Sequence, residues 1–386
     1  MTFRKTFLVL FLLLVSVPHP VFAWSNQISS PVAICEAPEN QFQPQIVRTP
    51  NGYCLIFWVD ERRGTVPGAS WKFRDIYGQK LSSSGECLWQ DNGLVLVRGW
   101  ENVTFERQQG VKAASDGSGG AFFTWTDSSG GGIQCDNVRA NRIDGEGNLL
   151  WGLGGVLVQE GDSGANESIC QDGAGGIFSS WTYAGFRLWY NRLKAARLNT
   201  QGERVVDYGS ISCMGGGDGE GSIADTSKVI STGVGEAVIA WLDARDGPYP
   251  GWRSLRVQRL AEAKVWDREG VRVSLPNNIL NQVVATYDAA PDGAGGVICF
   301  WTDNRNGENT SDIFAQRVSS AGSVMWQDGG VGICTASGGQ EQLQAVSDGQ
   351  GGAIVVWRDG RSGYRIYAQR VDASGNVQWG DNGMLV

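Results

Sequence analysis

Four tryptophans are each followed two residues on by an aspartate and four residues on by an arginine. They read Trp58-x-Asp60-x-Arg62, Trp241-x-Asp243-x-Arg245, Trp301-x-Asp303-x-Arg305 and Trp357-x-Asp359-x-Arg361. A carboxylate this close to a guanidinium can brace the backbone that carries both groups. Alternatively, Arg62, Arg245, Arg305 and Arg361 could ring a mouth and take a carboxylate or sulfate ligand. A motif repeated on most copies of a unit usually serves the fold those copies share. The structural reading therefore leads, with Asp60, Asp243, Asp303 and Asp359 as its acceptors.

The other binding chemistry is aromatic. Trp71, Trp100, Trp189 and Trp252 lie outside the regularly spaced tryptophans. Such rings stack on sugars or anchor a protein partner. Asp-Gly-x-Gly-Gly recurs at Asp116, Asp172, Asp292 and Asp348. Its glycines supply positive φ and its aspartate closes a turn. Calcium would need about six or more oxygens, and each such turn offers one carboxylate. Asp218 with Glu220 is the better calcium cluster. No cofactor is expected.

The single histidine is His19. Downstream of it, Ser-His-Asp and Cys-His catalysis and every His-ligated metal are excluded. There are eight cysteines, at 35, 54, 87, 135, 170, 213, 299 and 334. In an oxidising compartment an even number permits four disulfides. None shows C-x-x-C spacing. Cys35, Cys213 and Cys334 share one repeat position and are expected not to bridge one another.

A repeat positions these residues. One anchor is a Trp closing an apolar run, at 58, 125, 181, 241, 301 and 357, with gaps of 67, 56, 60, 60 and 56 by subtraction. A second Trp follows at 89, 151, 266, 326 and 379, and Val206 fills that slot in the third copy. The apolar runs are strand length and bounded by Gly, Asp, Asn or Ser. Six copies of four short strands predict an all-β, six-bladed β-propeller of four-stranded antiparallel blades. The blades span about 36–97, 98–159, 160–213, 214–274, 275–334 and 335–386. Val32-Ala33-Ile34-Cys35 matches the inter-blade linker Val331-Gly332-Ile333-Cys334, and Gly383 to Val386 begins the same linker. The ring is therefore expected to be closed by its N- and C-terminal segments. Strand order places the long second-to-third loops and the blade links on one face. Trp71, Trp100, Trp189 and Trp252 fall on that face.

The motifs Asp-Gly-x-Gly-Gly, Trp-x-Asp-x-Arg and Ile-Tyr-Ala-Gln-Arg-Val (366–371) resemble those of secreted bacterial β-propeller repeat proteins over nearly all of residues 24–386. Residues 372–379 resemble the Asp-box of sialidase-like propellers, which also ends a third-to-fourth strand turn in a packed Trp. The spacing differs, since Asp372 is three residues before Gly375 and seven before Trp379. The resemblance implies the fold and carries over no catalytic residue.

Residues 1–23 read as a secretory signal peptide. Arg4 and Lys5 precede an apolar run from Phe7 to Val17, and Val21-Phe22-Ala23 offers a cleavage site. No transmembrane segment is expected in residues 24–386, which form one domain. Losing Arg4 and Lys5 takes the formal charge from −8 to −10. Nucleic acid is a poor partner for such an acidic chain. The leading expectation is a secreted monomer that binds a glycan or an extracellular protein on its long-loop face without catalysis. The alternatives are a carbohydrate-active hydrolase or lyase using carboxylate, Tyr or Arg groups, and a purely structural surface protein.

Overall fold

The computed structural model describes residues 32–67, 72–99, 108–128, 137–160, 166–184, 191–211, 224–243, 253–267, 269–275, 284–307 and 311–386. The expected signal peptide lies outside them. Blade 1 comprises β1 (Gln41–Arg48), β2 (Cys54–Asp60), β3 (Asp75–Leu81) and β4 (Leu94–Val97). Blade 2 comprises β5 (Gln108–Ser115), β6 (Ala121–Asp127), β7 (Asn137–Ile143) and β8 (Val156–Gln159). Blade 3 comprises β9 (Asn166–Gln171), β10 (Ile177–Ala184), β11 (Asn191–Leu198) and β12 (Arg204–Ser210). Blade 4 comprises β13 (Ala224–Gly233), β14 (Glu236–Asp243), β15 (Ser254–Leu260) and β16 (Val271–Arg272). Blade 5 comprises β17 (Tyr287–Pro291), β18 (Val297–Asp303), β19 (Asp312–Val318) and β20 (Val331–Cys334). Blade 6 comprises β21 (Gln340–Ser347), β22 (Ala353–Asp359), β23 (Arg365–Val371) and β24 (Met384–Leu385). Each sheet runs in sequence order, and neighbouring strands are antiparallel. The protein is an all-β, six-bladed propeller.

The second strand of each blade carries most of the core. In β18, Val-Ile-Cys-Phe-Trp-Thr-Asp, every residue is buried. A strand sandwiched between two other sheets loses the polar–apolar alternation of a half-exposed one. The tryptophans at 125, 181, 241, 301 and 357 are among the largest fully buried side chains. Apolar clusters fill the junctions of blades 1–2, 2–3, 3–4, 4–5 and 5–6. The first strands of those neighbours pack side by side.

The sixth junction differs. Among the described residues, no cluster joins blade 6 to blade 1, and β21 does not pack along β1 as the other first strands pack. Val346, on the free face of blade 6, is 53% exposed, whereas its counterparts Val47, Ile230 and Ala290 are 6%, 6% and 1% exposed. The expected closure by the terminal segments is thus not made by the described residues.

The cysteines do not form the four disulfides that their number permits. Cys35, Cys54, Cys87, Cys170, Cys299 and Cys334 are in no disulfide. Cys135 and Cys213 lie outside the described residues. The reason is the repeat. Cys299 sits in the blade 4–5 cluster and Cys334 in the blade 5–6 cluster, each filling its own junction as a small apolar side chain.

Candidate functional site

The Trp-x-Asp-x-Arg residues form a clamp at the exit of the second strand. In blade 1, Asp60 Oδ2 accepts from Trp58 Nε1 at 2.8 Å and from Arg62 Nη2 at 2.7 Å. Its Oδ1 accepts from the Arg62 backbone N–H at 2.8 Å and from Nε at 2.9 Å. Arg62 Nη2 also donates to the Asn92 carbonyl at 2.8 Å, and the guanidinium lies 3.7 Å over the Tyr77 ring. Blade 6 repeats this with Trp357, Asp359, Arg361, the Asn382 carbonyl and Tyr367. Blade 5 repeats it with Trp301, Asp303, Arg305, the Gly329 carbonyl and Phe314. Burial alone would raise the Asp60 and Asp359 carboxyls. The bonds from arginine and tryptophan outweigh it and hold both below the ordinary value.

Blade 2 has no arginine two residues after Asp127. There Arg139, from β7, donates Nε to Asp127 Oδ2 at 2.8 Å and Nη1 to the Gly154 carbonyl at 3.2 Å. Arg139 pairs across from Trp125 in the slot that Tyr77, Phe314 and Tyr367 hold across from Trp58, Trp301 and Trp357. The guanidinium therefore reaches the same place from a different strand. That substitution within the chain supports bracing as the role of this group.

Two further networks were not legible as roles in the sequence. The Asp of each Asp-Gly-x-Gly-Gly turn is tied to an arginine on the third strand. Asp292 Oδ1 accepts from the Ala294 and Gly296 amides, each at 2.8 Å, and Oδ2 accepts from Arg317 Nε at 2.9 Å. Gly296 is required, since a Cβ there would lie 2.3 Å from the Val318 carbonyl. Asp116 with Arg142, Asp172 with Arg197 and Asp348 with Arg370 repeat the arrangement. Each carboxylate is thus closed by its own turn and a cation. Among the described residues no group of three His, Cys, Asp or Glu could hold a metal ion, and Asp218 and Glu220 lie outside them. Next, a buried glutamine on the third strand fixes the second Trp. Gln316 Oε1 accepts from the Trp326 amide at 2.9 Å, and its Nε2 donates to the Gln327 carbonyl at 2.8 Å. Gln79 and Gln369 do the same for Trp89 and Trp379. The sequence signal for both networks was the Ala-Gln-Arg-Val tetrad itself.

One carboxylate departs from its repeat. Asp75, across from Asp60, takes a bidentate pair from Arg63 at 2.7 and 2.6 Å and the Gly99 amide at 3.0 Å. Asp312 holds that slot across from Asp303 but receives Asn306 Nδ2 at 2.6 Å instead of an arginine. Burial, with the nearby charge of Asp303, raises its carboxyl above the ordinary value despite that bond.

Arg62, Arg305 and Arg361 thus sit at the bases of the second-to-third loops of blades 1, 5 and 6, each in its own blade's clamp. Asp243 accepts from Trp241 Nε1 at 2.9 Å. Arg245, Trp71, Trp100, Trp189 and Trp252 lie outside the described residues. No helix of the described residues is long and apolar enough to cross a membrane.

No protein-family model matches the chain, and no curated protein does. Solved structures resemble it in fold. A Hadza microbial sialidase, Hz136, is 10% identical with a TM-score of 0.46 over 84% of this chain, which spans 64% of that one. The β-propeller domain of the Trilobed protease from Pyrococcus furiosus, described as having an open velcro topology, is 9% identical over 88% of this chain and 83% of that one, with a TM-score of 0.47. The BP39L lectin from Burkholderia pseudomallei is 12% identical over 85% and 94%, with a TM-score of 0.43. At these identities the likeness extends to the propeller fold alone.

Proposed function

We propose that the protein is a secreted, non-catalytic binding propeller that engages a glycan or an extracellular protein on its long-loop face. The observation that supports this is that the described repeat side chains at both ends of the blades are engaged within the fold. The Asp, Arg and Gln groups of the described repeat hold turns, loops and fourth strands. Arg62, Arg305 and Arg361 each bond their own aspartate and a backbone carbonyl. In this reading they brace the loops, and contact with ligand falls to Trp71, Trp100, Trp189 and Trp252. Stacking tryptophans suit sugar rings, whose apolar faces they cover.

A glycan array followed by titration tests the reading. Trp71→Ala or Trp252→Ala should weaken binding by roughly 1–3 kcal/mol with the melting temperature unchanged, as for an aromatic anchor. A lower melting temperature with binding intact would assign those tryptophans to packing. Release of reducing ends from any bound polysaccharide would replace binding with hydrolysis.

A further inference from the structure

One aromatic ring of the described repeat is left half-used. Tyr77, Phe314 and Tyr367 each meet a clamp arginine, at 3.7, 3.6 and 4.1 Å, and a clamp tryptophan, at 6.1, 6.4 and 6.2 Å. Each of those rings is buried or half-buried. Tyr364 meets one cation, Arg358, which lies 4.0 Å over its ring. It is 67% exposed, and among the described residues it is the one aromatic side chain that is largely exposed. The ring face opposite Arg358 is therefore open to solvent.

The open ring is held in place from below and from the side. Residues 360–364 join β22 to β23 on the long-loop face. Arg361 ties that loop to Asp359 and to the Asn382 carbonyl. The Gly360 amide donates to the Gly339 carbonyl at 2.9 Å. Gly338 packs so closely that a Cβ there would lie 2.8 Å from the Arg361 amide nitrogen. Under the ring, Arg358 is fixed by Glu341 of β21 at 2.7 Å. A ring held this way before binding loses little freedom when a ligand covers it.

The surroundings of the ring select the kind of ligand. A protein hot spot is an anchor packed among neighbours that exclude water. The chain neighbours of Tyr364 are Gly360, Ser362, Gly363 and Arg365, all at least partly exposed, and none offers an apolar side chain. A sugar ring needs no such collar. Its C–H face covers one aromatic ring, and its hydroxyls point outward to polar groups at the edge. Arg358 and Glu341 supply those groups, with side chains 36% and 42% exposed.

We propose that Tyr364 is a sugar-stacking platform, with one glycan residue lying on the ring face opposite Arg358. This rests on the binding reading given above and commits it to a glycan over a protein.

The test uses the full chain and the soluble form of the glycan best retained on the array. Tyr364→Ala should weaken its binding by roughly fivefold or more, the scale of one aromatic anchor, with the melting temperature unchanged. Tyr364→Phe keeps the ring and should stay within about twofold of the parent. Nitration of the parent by tetranitromethane, read by peptide mapping, gives a measurement without substitution. Modification of Tyr364 should slow as the glycan saturates the protein, with half-protection at its Kd. Unchanged binding by Tyr364→Ala, or nitration of Tyr364 that stays as fast under saturating glycan, would overturn the platform while a loss in Trp71→Ala or Trp252→Ala left the binding reading standing. A loss in Tyr364→Phe equal to that in Tyr364→Ala would overturn stacking, because the hydroxyl would then be the group that binds. A parent that retains no glycan on the array would overturn the binding reading for glycans, and the platform with it.

Discussion

Asp303 shows what the clamp does for stability. It is fully buried and holds Trp301 Nε1 and the Arg305 guanidinium, itself mostly buried. Asp303→Ala should destabilise the protein by about 3–5 kcal/mol, because it strands a buried cation and an indole N–H. A denaturant titration reads this, and a loss under 1 kcal/mol would refute the clamp. Asp312→Asn should act in the opposite direction. Burial raises the Asp312 carboxyl, so folding disfavours its charged form. That cost is fully present above its folded pKa and disappears as pH falls toward the ordinary value of 3.8. The variant should therefore melt higher than the parent at pH 7, and the gain should vanish toward pH 4. Asp75→Asn, which breaks a bidentate pair with Arg63, should lower the melting temperature at pH 7. Spacing made the Trp-Asp-Arg clamp legible, because all three groups lie within five residues. It could not reveal Arg139, which reaches the same site from the next strand, nor the loss of a cation at Asp312.

At the scale of the element, the strands were legible because turn chemistry brackets each apolar run. The bulges were not. Register shifts between Phe42 and Gln45, Gln109 and Lys112, Asp225 and Ser227, and Glu341 and Gln344. Positive φ falls inside them at Gln43, Gly110, Thr226 and Gln342, and only Gly110 announces that conformation by its type. Gln342→Gly should relieve left-handed strain at an exposed position and stabilise by up to about 1 kcal/mol, net of the entropy glycine loses on folding. A measured loss would show that the Gln342 side chain contributes more than its backbone costs. Blade 3 illustrates a second limit. It has Ala196 where the other blades place a buried glutamine or, in blade 2, Asn141, and Val206 in the slot of the second Trp. Without that bracket β12 extends to seven residues, against four in β4, β8 and β20. The missing Trp did not indicate that the fourth strand of this blade is longer, nor that it pairs with β11 across two register shifts.

The whole molecule is held by carboxylates placed in the same way around the blades, and this fixes its response to acid. Asp60, Asp116, Asp348 and Asp359 all lie below the ordinary carboxyl value. For each, burial acts to raise the pKa, and hydrogen bonds from arginine, backbone amides or other side chains outweigh it. A depressed folded pKa contributes stability that is complete above the unfolded value of 3.8 and lost as pH falls through the folded value. These groups sit on blades 1, 2 and 6, and apolar clusters join the blades in series from 1 to 6, so their losses should add within one transition. No histidine lies beyond His19 to titrate between pH 5 and 8. The melting temperature should therefore stay nearly flat from pH 8 to 5, apart from the term from Asp312, and fall steeply below pH 4. The proton uptake obtained from that slope should exceed one per molecule. A shallow decline, or an uptake of one proton or fewer, would mean that the clamps do not act together and that single blades open independently in acid.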